Sequence, residues 1–237
     1  MTPEEASPKH QSMGESRECF SLRIGEFSTD LIIASKYMTS LHERYAGFCH
    51  DAKSQIRIEC HENAGVRQAE RYARVSSILK ALNIQEDDIL SRDVQEMLCP
   101  QAQLSGHQLV IEDHLTFRIE LDLISQRGSL YFHPRHTIHG WRNNFFHAAL
   151  KNLYAALSLL SGQGFLMHSS AVDLENNGVL FFGRSGAGKT TICTMFGQDN
   201  ILNDEINLIH KCKNDVYIYS TPFLGSLRMS TRHRKTK

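Results

Sequence analysis

The sequence predicts an α/β protein of the α+β kind: a mixed sheet with antiparallel hairpins around a glycine-rich loop, preceded by a mixed sheet-and-helix module. Three observations predict it. Short stretches such as residues 54–60 alternate apolar and polar side chains, the period of a half-buried strand. Residues 141–160 instead repeat apolar side chains at three and four, the period of a helix. The glycine-rich loop at residues 183–190 falls between an apolar run and a second helix-forming stretch.

At 237 residues the chain has room for one large or two small domains. A hydrophobic fraction of 41% and a charged fraction of 22% place it among globular chains rather than disordered or fibrous ones. Lys and Arg balance Asp and Glu at 26 each, so no global charge draws the chain to nucleic acid or an anionic membrane. The cysteines at 19, 49, 60, 99, 193 and 212 form no C-x-x-C pair and read as reduced. The first residues, with Glu4 and Glu5 and no apolar centre, lack a secretory pattern, and no apolar run approaches the ~18 residues of a membrane span. A cytoplasmic location is expected, with neither membrane nor nucleic acid as partner.

Residues 1–17 are polar and expected to be disordered. Residues 20–24 and 30–34 read as strands joined through a Gly-containing turn, and Ile56, Ile58 and Cys60 share one face of a third. The period then changes. Val66, Ala69, Ala73, Ile78 and Leu82 predict a helix, and residues 86–98 a shorter one. Residues 109–111, 115–124 and 129–132 predict a three-stranded meander with a turn at 126–128. His133-Pro-Arg-His136 interrupts the pattern and marks a boundary near 133–141, dividing a first module, residues 18–140, from a second, residues 141–225.

The helix at 141–160 carries Trp141, Phe145, Ala149, Leu150, Leu153, Leu157 and Leu160 on one stripe, with Gly162 just past its end. A strand at 164–174 turns through Glu175-Asn-Asn-Gly178, where Asn-Gly tolerates positive φ, into a strand at 179–182. A last hairpin joins 201–209 to 216–220 around Lys213-Asn-Asp215. Residues 226–237, with Arg228, Arg232, Arg234, Lys235 and Lys237 and no acid, are expected to be a disordered basic tail.

The loop Gly183-Arg184-Ser185-Gly186-Ala187-Gly188-Lys189-Thr190 fits G-x-x-x-x-G-K-[ST] at every fixed position. A chance match in a chain of ordinary composition is on the order of one per cent. The spacing has a chemical reason: glycines let successive N–H groups turn inward as an anion nest. The helix starting near Lys189 and continuing through Thr191 adds its positive end. Lys189 then reaches the terminal phosphates of a nucleotide, and the Thr190 hydroxyl holds Mg²⁺. The loop comes late, with 48 residues after Lys189, and its neighbours are hairpins rather than βαβ crossovers. A doubly wound parallel sheet is therefore not expected.

Asp204 and Glu205, 15 and 16 residues beyond Lys189, end an apolar run. A nucleotide-bound Mg²⁺ needs a carboxylate at a strand end, and phosphoryl transfer to a hydroxyl uses another as proton acceptor. His168 stands on the strand before the hairpin, and a tight hairpin brings its imidazole towards the phosphates.

His168, the hairpin, the loop and Asp204-Glu205 together resemble the catalytic domain of bacterial HPr kinase/phosphorylase. Met167-His-Ser-Ser-Ala-Val172 and Thr221-Pro-Phe-Leu-Gly225 are similar to segments of HPr-kinase-like proteins of uncertain substrate. The resemblance covers residues 141–225, and the same core occurs in ATP-dependent phosphoenolpyruvate carboxykinases. It implies an ATP- and Mg²⁺-dependent kinase acting on a hydroxyl of a protein or small molecule. Lys189 contacts the phosphates, Thr190 and Glu205 hold Mg²⁺, and Asp204 takes the place of the family's base, assisted by His168. The family precedent is a hexamer, so a homo-oligomer is within its scope. Where the family has two aspartates, this chain has Asp204 and Glu205. The family also continues beyond the Thr-Pro-Phe segment, so a truncated catalytic domain serving as a non-catalytic nucleotide-binding regulator is the alternative expectation.

Cys49-His50 and Cys60-His61 fit no usual zinc spacing, and His133, His136 and His139 flank Pro134, so neither group is read as a metal site. ATP and Mg²⁺ are the cofactors expected.

Overall fold

The computed structural model describes residues 15–62, 100–113, 117–132, 145–224 and 235–237. The helices expected at 66–82 and 86–98, the histidines at 133, 136 and 139, Trp141 and Gly225 lie outside the described residues.

The described residues form a mixed α/β fold with two sheets. A hairpin of β1 (Arg17–Ile24) and β2 (Phe27–Ala34) is followed by α1 (Met38–Tyr45) and β3 (Ile56–Glu62). Then come β4 (Gln101–Ser105), β5 (Gln108–Asp113), β6 (Phe117–Asp122) and β7 (Arg127–Phe132). The strand order is β1-β2-β3-β7-β6-β5-β4, and β3 runs parallel to both β2 and β7. Parallel neighbours need crossover connections, and the chain between β2 and β3, which includes α1, is one of them.

Alternation buries Phe117, Ile119 and Leu121 and leaves Arg118 and Glu120 on the outer side, where Arg118 pairs with Glu112 and Glu120 at 2.6 Å each. Such surface pairs contribute about 0–1 kcal/mol. The apolar face matters more, at roughly 1.5–3 kcal/mol for each fully buried large side chain.

Two elements of this region escaped the sequence pattern. Every residue of β4 is exposed, so it carries no apolar alternation, and the meander has four strands rather than three. α1 has eight residues, no side-chain cap, and only Leu41 and Tyr45 buried, too little for a helical stripe.

α2 (Phe145–Leu160) lies between the sheets and touches β6, β7 and the long strand β8 (Gly164–Leu174). Phe146, Ala149, Leu150, Leu153, Tyr154 and Leu157 form its buried stripe. The Tyr154 hydroxyl donates to the Leu22 carbonyl oxygen at 3.1 Å and lies 3.0 Å from the Thr29 hydroxyl. One hydrophobic core runs from Phe20 through α2 to Leu208, Tyr219 and Phe223, across the boundary expected near 133–141. Tyr219 also donates a hydrogen bond to Glu26 in the β1–β2 turn, which holds that carboxyl below its usual range.

The second sheet is built on β8. One edge of β8 pairs with β9 (Asn177–Phe182) and the other with β10 (Ile201–Asn203) and β11 (Ile206–Cys212). β12 (Asp215–Tyr219) and β13 (Lys235–Thr236) follow beyond β11, and all these pairings are antiparallel. α3 (Lys189–Thr194) lies against β8 and β9 through Cys193, and Phe196, just past its end, is stacked on Phe181. No helix among the described residues is long and apolar enough to cross a membrane.

Three details depart from the sequence reading. The strand expected at 201–209 divides at Asp204-Glu205, and both halves pair with β8. In the β8–β9 hairpin the residues with positive φ are Glu175 (54°) and Asn176 (66°), not Asn-Gly. Gly178 lies in β9, where a Cβ would stand 2.5 Å from Ile218 Cδ1 and 2.6 Å from Thr236 Cγ2, so glycine is needed there for close approach. Thr236 belongs to the segment expected as a disordered tail. Instead, Lys235 and Thr236 pair with β12, and Lys237 Nζ lies 2.8 Å from Asp215, which ties residues 235–237 to the sheet edge.

Candidate functional site

β9 leads into the loop and α3 leads away from it. Gly186 and Gly188 have φ of 81° and 82°, in the left-handed region that side chains disfavour. Nothing lies within 4 Å of a Cβ added at either, so the need for glycine is one of backbone conformation alone. The Ala187 N–H donates to the Arg184 carbonyl at 3.1 Å. Lys189 Nζ donates to the carbonyl oxygens of Gly183 and Arg184 at 3.0 and 3.2 Å, which folds the ammonium back over the loop. These acceptors are neutral and solvent-exposed, and an anionic phosphate oxygen competes with them favourably. Arg184, Ser185, Ala187 and Thr191 are exposed, and Thr190 is half-buried.

Asp204 and Glu205 form the turn between β10 and β11. The Ser169 N–H donates to the Glu205 carbonyl at 3.0 Å, and the Ser170 hydroxyl to the Asp204 carbonyl at 3.2 Å. Across the other edge of β8, Ser169 and Ser170 face Phe182 and Phe181. The entry to the loop and the acidic turn therefore stand at one level of the sheet with β8 between them, roughly 10 Å apart at ordinary strand spacing.

Asp204 is 1% exposed. Burial, and then the Asp204 carboxylate, push the Cys193 thiol on α3 up to about 11. Asp204 thus lies within electrostatic range of the Cys193 thiol on that helix. Glu205 is only half-buried, and its Oε1 lies 3.6 Å from His168 Nε2, an ion pair when the imidazole is protonated.

Lys151 and His147, one turn apart on α2, were not singled out by the sequence. Burial lowers the pKa of Lys151, and attraction from Glu205 opposes that shift. His147 shares a 2.9 Å hydrogen bond with the Tyr45 hydroxyl and sets its ring edge-on to Phe223 at 5.1 Å. Burial holds this imidazole well below the usual range, and Arg44 and Lys151 repel a further proton. The signal was present as two basic residues at i and i+4 inside a mainly apolar helix.

Of the residues expected at the site, His168 and Glu205 meet directly, and Asp204 lies within electrostatic reach of α3. Among the described residues no three His, Cys, Asp or Glu side chains converge as metal ligands. The loop offers the Thr190 hydroxyl and the turn across β8 offers the Asp204 and Glu205 carboxylates, hard oxygen donors of the type that Mg²⁺ takes alongside water and phosphate oxygens. No protein-family model matches the chain, and no curated protein is significantly similar to it.

Proposed function

We propose that the chain binds ATP with Mg²⁺ on the loop at 183–190 and transfers the γ-phosphoryl group to a hydroxyl of a protein or small molecule, as an HPr-kinase-like enzyme. The observation that carries the reading is the acidic turn at the level of the loop entry, one strand away across β8. The loop amides and Lys189 hold the β- and γ-phosphates, with Arg184 and Ser185 at the exposed rim.

The resemblance assigns Mg²⁺ to Thr190 with Glu205 and the proton to Asp204. The burial pattern favours the reverse. Buried Asp204 would hold the cation together with Thr190, whereas half-exposed Glu205 beside His168 is the carboxylate an acceptor can approach. When bound there, Mg²⁺ would neutralise charge on the transferring group. The acceptor oxygen forms a bond to the γ-phosphorus, the bond to the β–γ bridging oxygen breaks, and the acceptor proton passes to Glu205.

Lys189→Ala is expected to weaken ATP binding by about 100-fold, the loss of a charged hydrogen bond of about 3 kcal/mol, and undiminished affinity overturns the reading. Glu205→Gln is expected to retain Mg²⁺-dependent binding and lose ATP turnover, and Asp204→Asn to lose the Mg²⁺ dependence. Wild-type binding without turnover against any hydroxyl acceptor supports the non-catalytic alternative instead.

A further inference from the structure

We propose that Asn203 is the positioning residue of the acidic turn and, with Thr221, sets the affinity of the site for Mg²⁺. The inference rests on the reading of Asp204 and Glu205 given above. Asn203 is wholly buried at the end of β10, next to the apolar Ile201 and Leu202. Its amide is nonetheless fully used. Oδ1 accepts the N–H groups of Glu205 at 2.7 Å and Ile206 at 3.2 Å. Nδ2 donates to the carbonyl oxygens of Thr221 at 2.7 Å and Phe223 at 3.4 Å, and lies 3.2 Å from the Thr221 hydroxyl. The Thr221 hydroxyl in turn donates to the Ile206 carbonyl at 2.6 Å and accepts the Phe223 N–H at 3.3 Å.

Two successive backbone amides of the turn are thus gathered on one side-chain oxygen, and the carbonyl that follows is held by a hydroxyl. With the Asp204 and Glu205 carbonyl oxygens held by Ser170 and Ser169, the backbone of the turn is bonded on both sides and sets the directions in which the two side chains leave it. An amide is required for both halves of this clamp. A carboxylate would accept the two N–H groups but face two carbonyl oxygens, and an aliphatic side chain would leave the buried N–H groups without their acceptor. The clamp also reaches the first module, because Phe223 packs on His147, which bonds Tyr45. Groups that orient metal-ligating carboxylates typically account for 10–100-fold in metal affinity.

The test uses the full chain and the fluorescent probe N-methylanthraniloyl-ATP, titrated with Mg²⁺ and, separately, in EDTA. Asn203→Asp and Thr221→Val are expected to raise the half-maximal Mg²⁺ concentration by about 10–100-fold while leaving probe affinity in EDTA at the wild-type value. A merely structural role would weaken both titrations together. Circular dichroism reports folding. Should Asn203→Asp unfold, Thr221→Val decides alone, since it removes the hydroxyl and keeps the side-chain shape. An unshifted Mg²⁺ titration in a folded variant overturns the proposal. Probe binding to the wild type that ignores Mg²⁺ also overturns it and leaves the loop reading standing. No probe binding to the wild type overturns the nucleotide reading beneath it.

Discussion

The two sheets bury different chemistry. In the first, the buried polar side chains among the described residues are Ser28 and Thr29 on β2, and charged groups such as Arg17 and Glu59 meet at the surface, 3.1 Å apart. In the second, Ser169, Ser170, Asn203, Asp204, Asn207, His210, Ser220, Thr221 and Thr236 are all buried. Burying a polar group costs free energy unless it is hydrogen-bonded, so polar interiors are kept where geometry must be specified rather than merely made compact. Most of these residues flank the acidic turn. The first sheet keeps a mainly apolar interior, and the second buries a polar network centred on the acidic turn.

The sharpest way to break that comparison is through α2, which serves both sheets. Leu150→Ala removes a fully buried side chain from the shared core and is expected to cost about 3 kcal/mol. Urea denaturation followed by circular dichroism should still show one transition. Two separate transitions would make the sheets independent modules.

His147 gives the next effect. Its folded pKa is depressed, while the unfolded chain has the ordinary value near 6.5, so unfolding takes up a proton once the pH falls below about 6.5. Stability is therefore full above that value and declines on acidification towards the folded pKa, at up to about 1.4 kcal/mol per pH unit. His147→Gln keeps a partner for Tyr45 and should flatten the profile between pH 7 and 5. An unchanged slope would place the acid sensitivity elsewhere.

Gly186→Ala forces a side chain into the left-handed region at a cost of about 1–2 kcal/mol. Because that strain is local to the loop, it should appear as roughly tenfold weaker ATP binding with the secondary structure intact. The smallest change is Tyr154→Phe, which removes the bonds to Leu22 and Thr29 and should lower the unfolding free energy by about 1 kcal/mol without affecting nucleotide binding. A binding defect there would mean that the first sheet and the site are less separable than their interiors indicate.

Much of the fold was legible because it rests on local periodicity. The β8–β9 hairpin, the last hairpin, the long helix and the loop all carry their pattern within a few residues. β4 was not legible because an exposed edge strand has no apolar face, and α1 because eight residues with two buried side chains make no stripe. Gly178 was read for turn chemistry, although its neighbours Ile218 and Thr236 lie tens of residues away in the chain. Lys151, His147 and Asn203 were missed for the same reason: their partners Glu205, Tyr45 and Thr221 come from other elements.

By itself, the sequence determined the glycine-rich loop between strand and helix, the acidic pair after it, and the mixed strand-and-helix composition, since all three are set by residue type at short spacing. Only the tertiary structure decided that α2 joins both sheets in one core and that residues 235–237 close a sheet edge. It also decided that Asp204 is buried while Glu205 faces His168. Burial and cross-strand register depend on which distant segments pair, and adjacent carboxylates in a sequence carry no mark of which one the fold will cover.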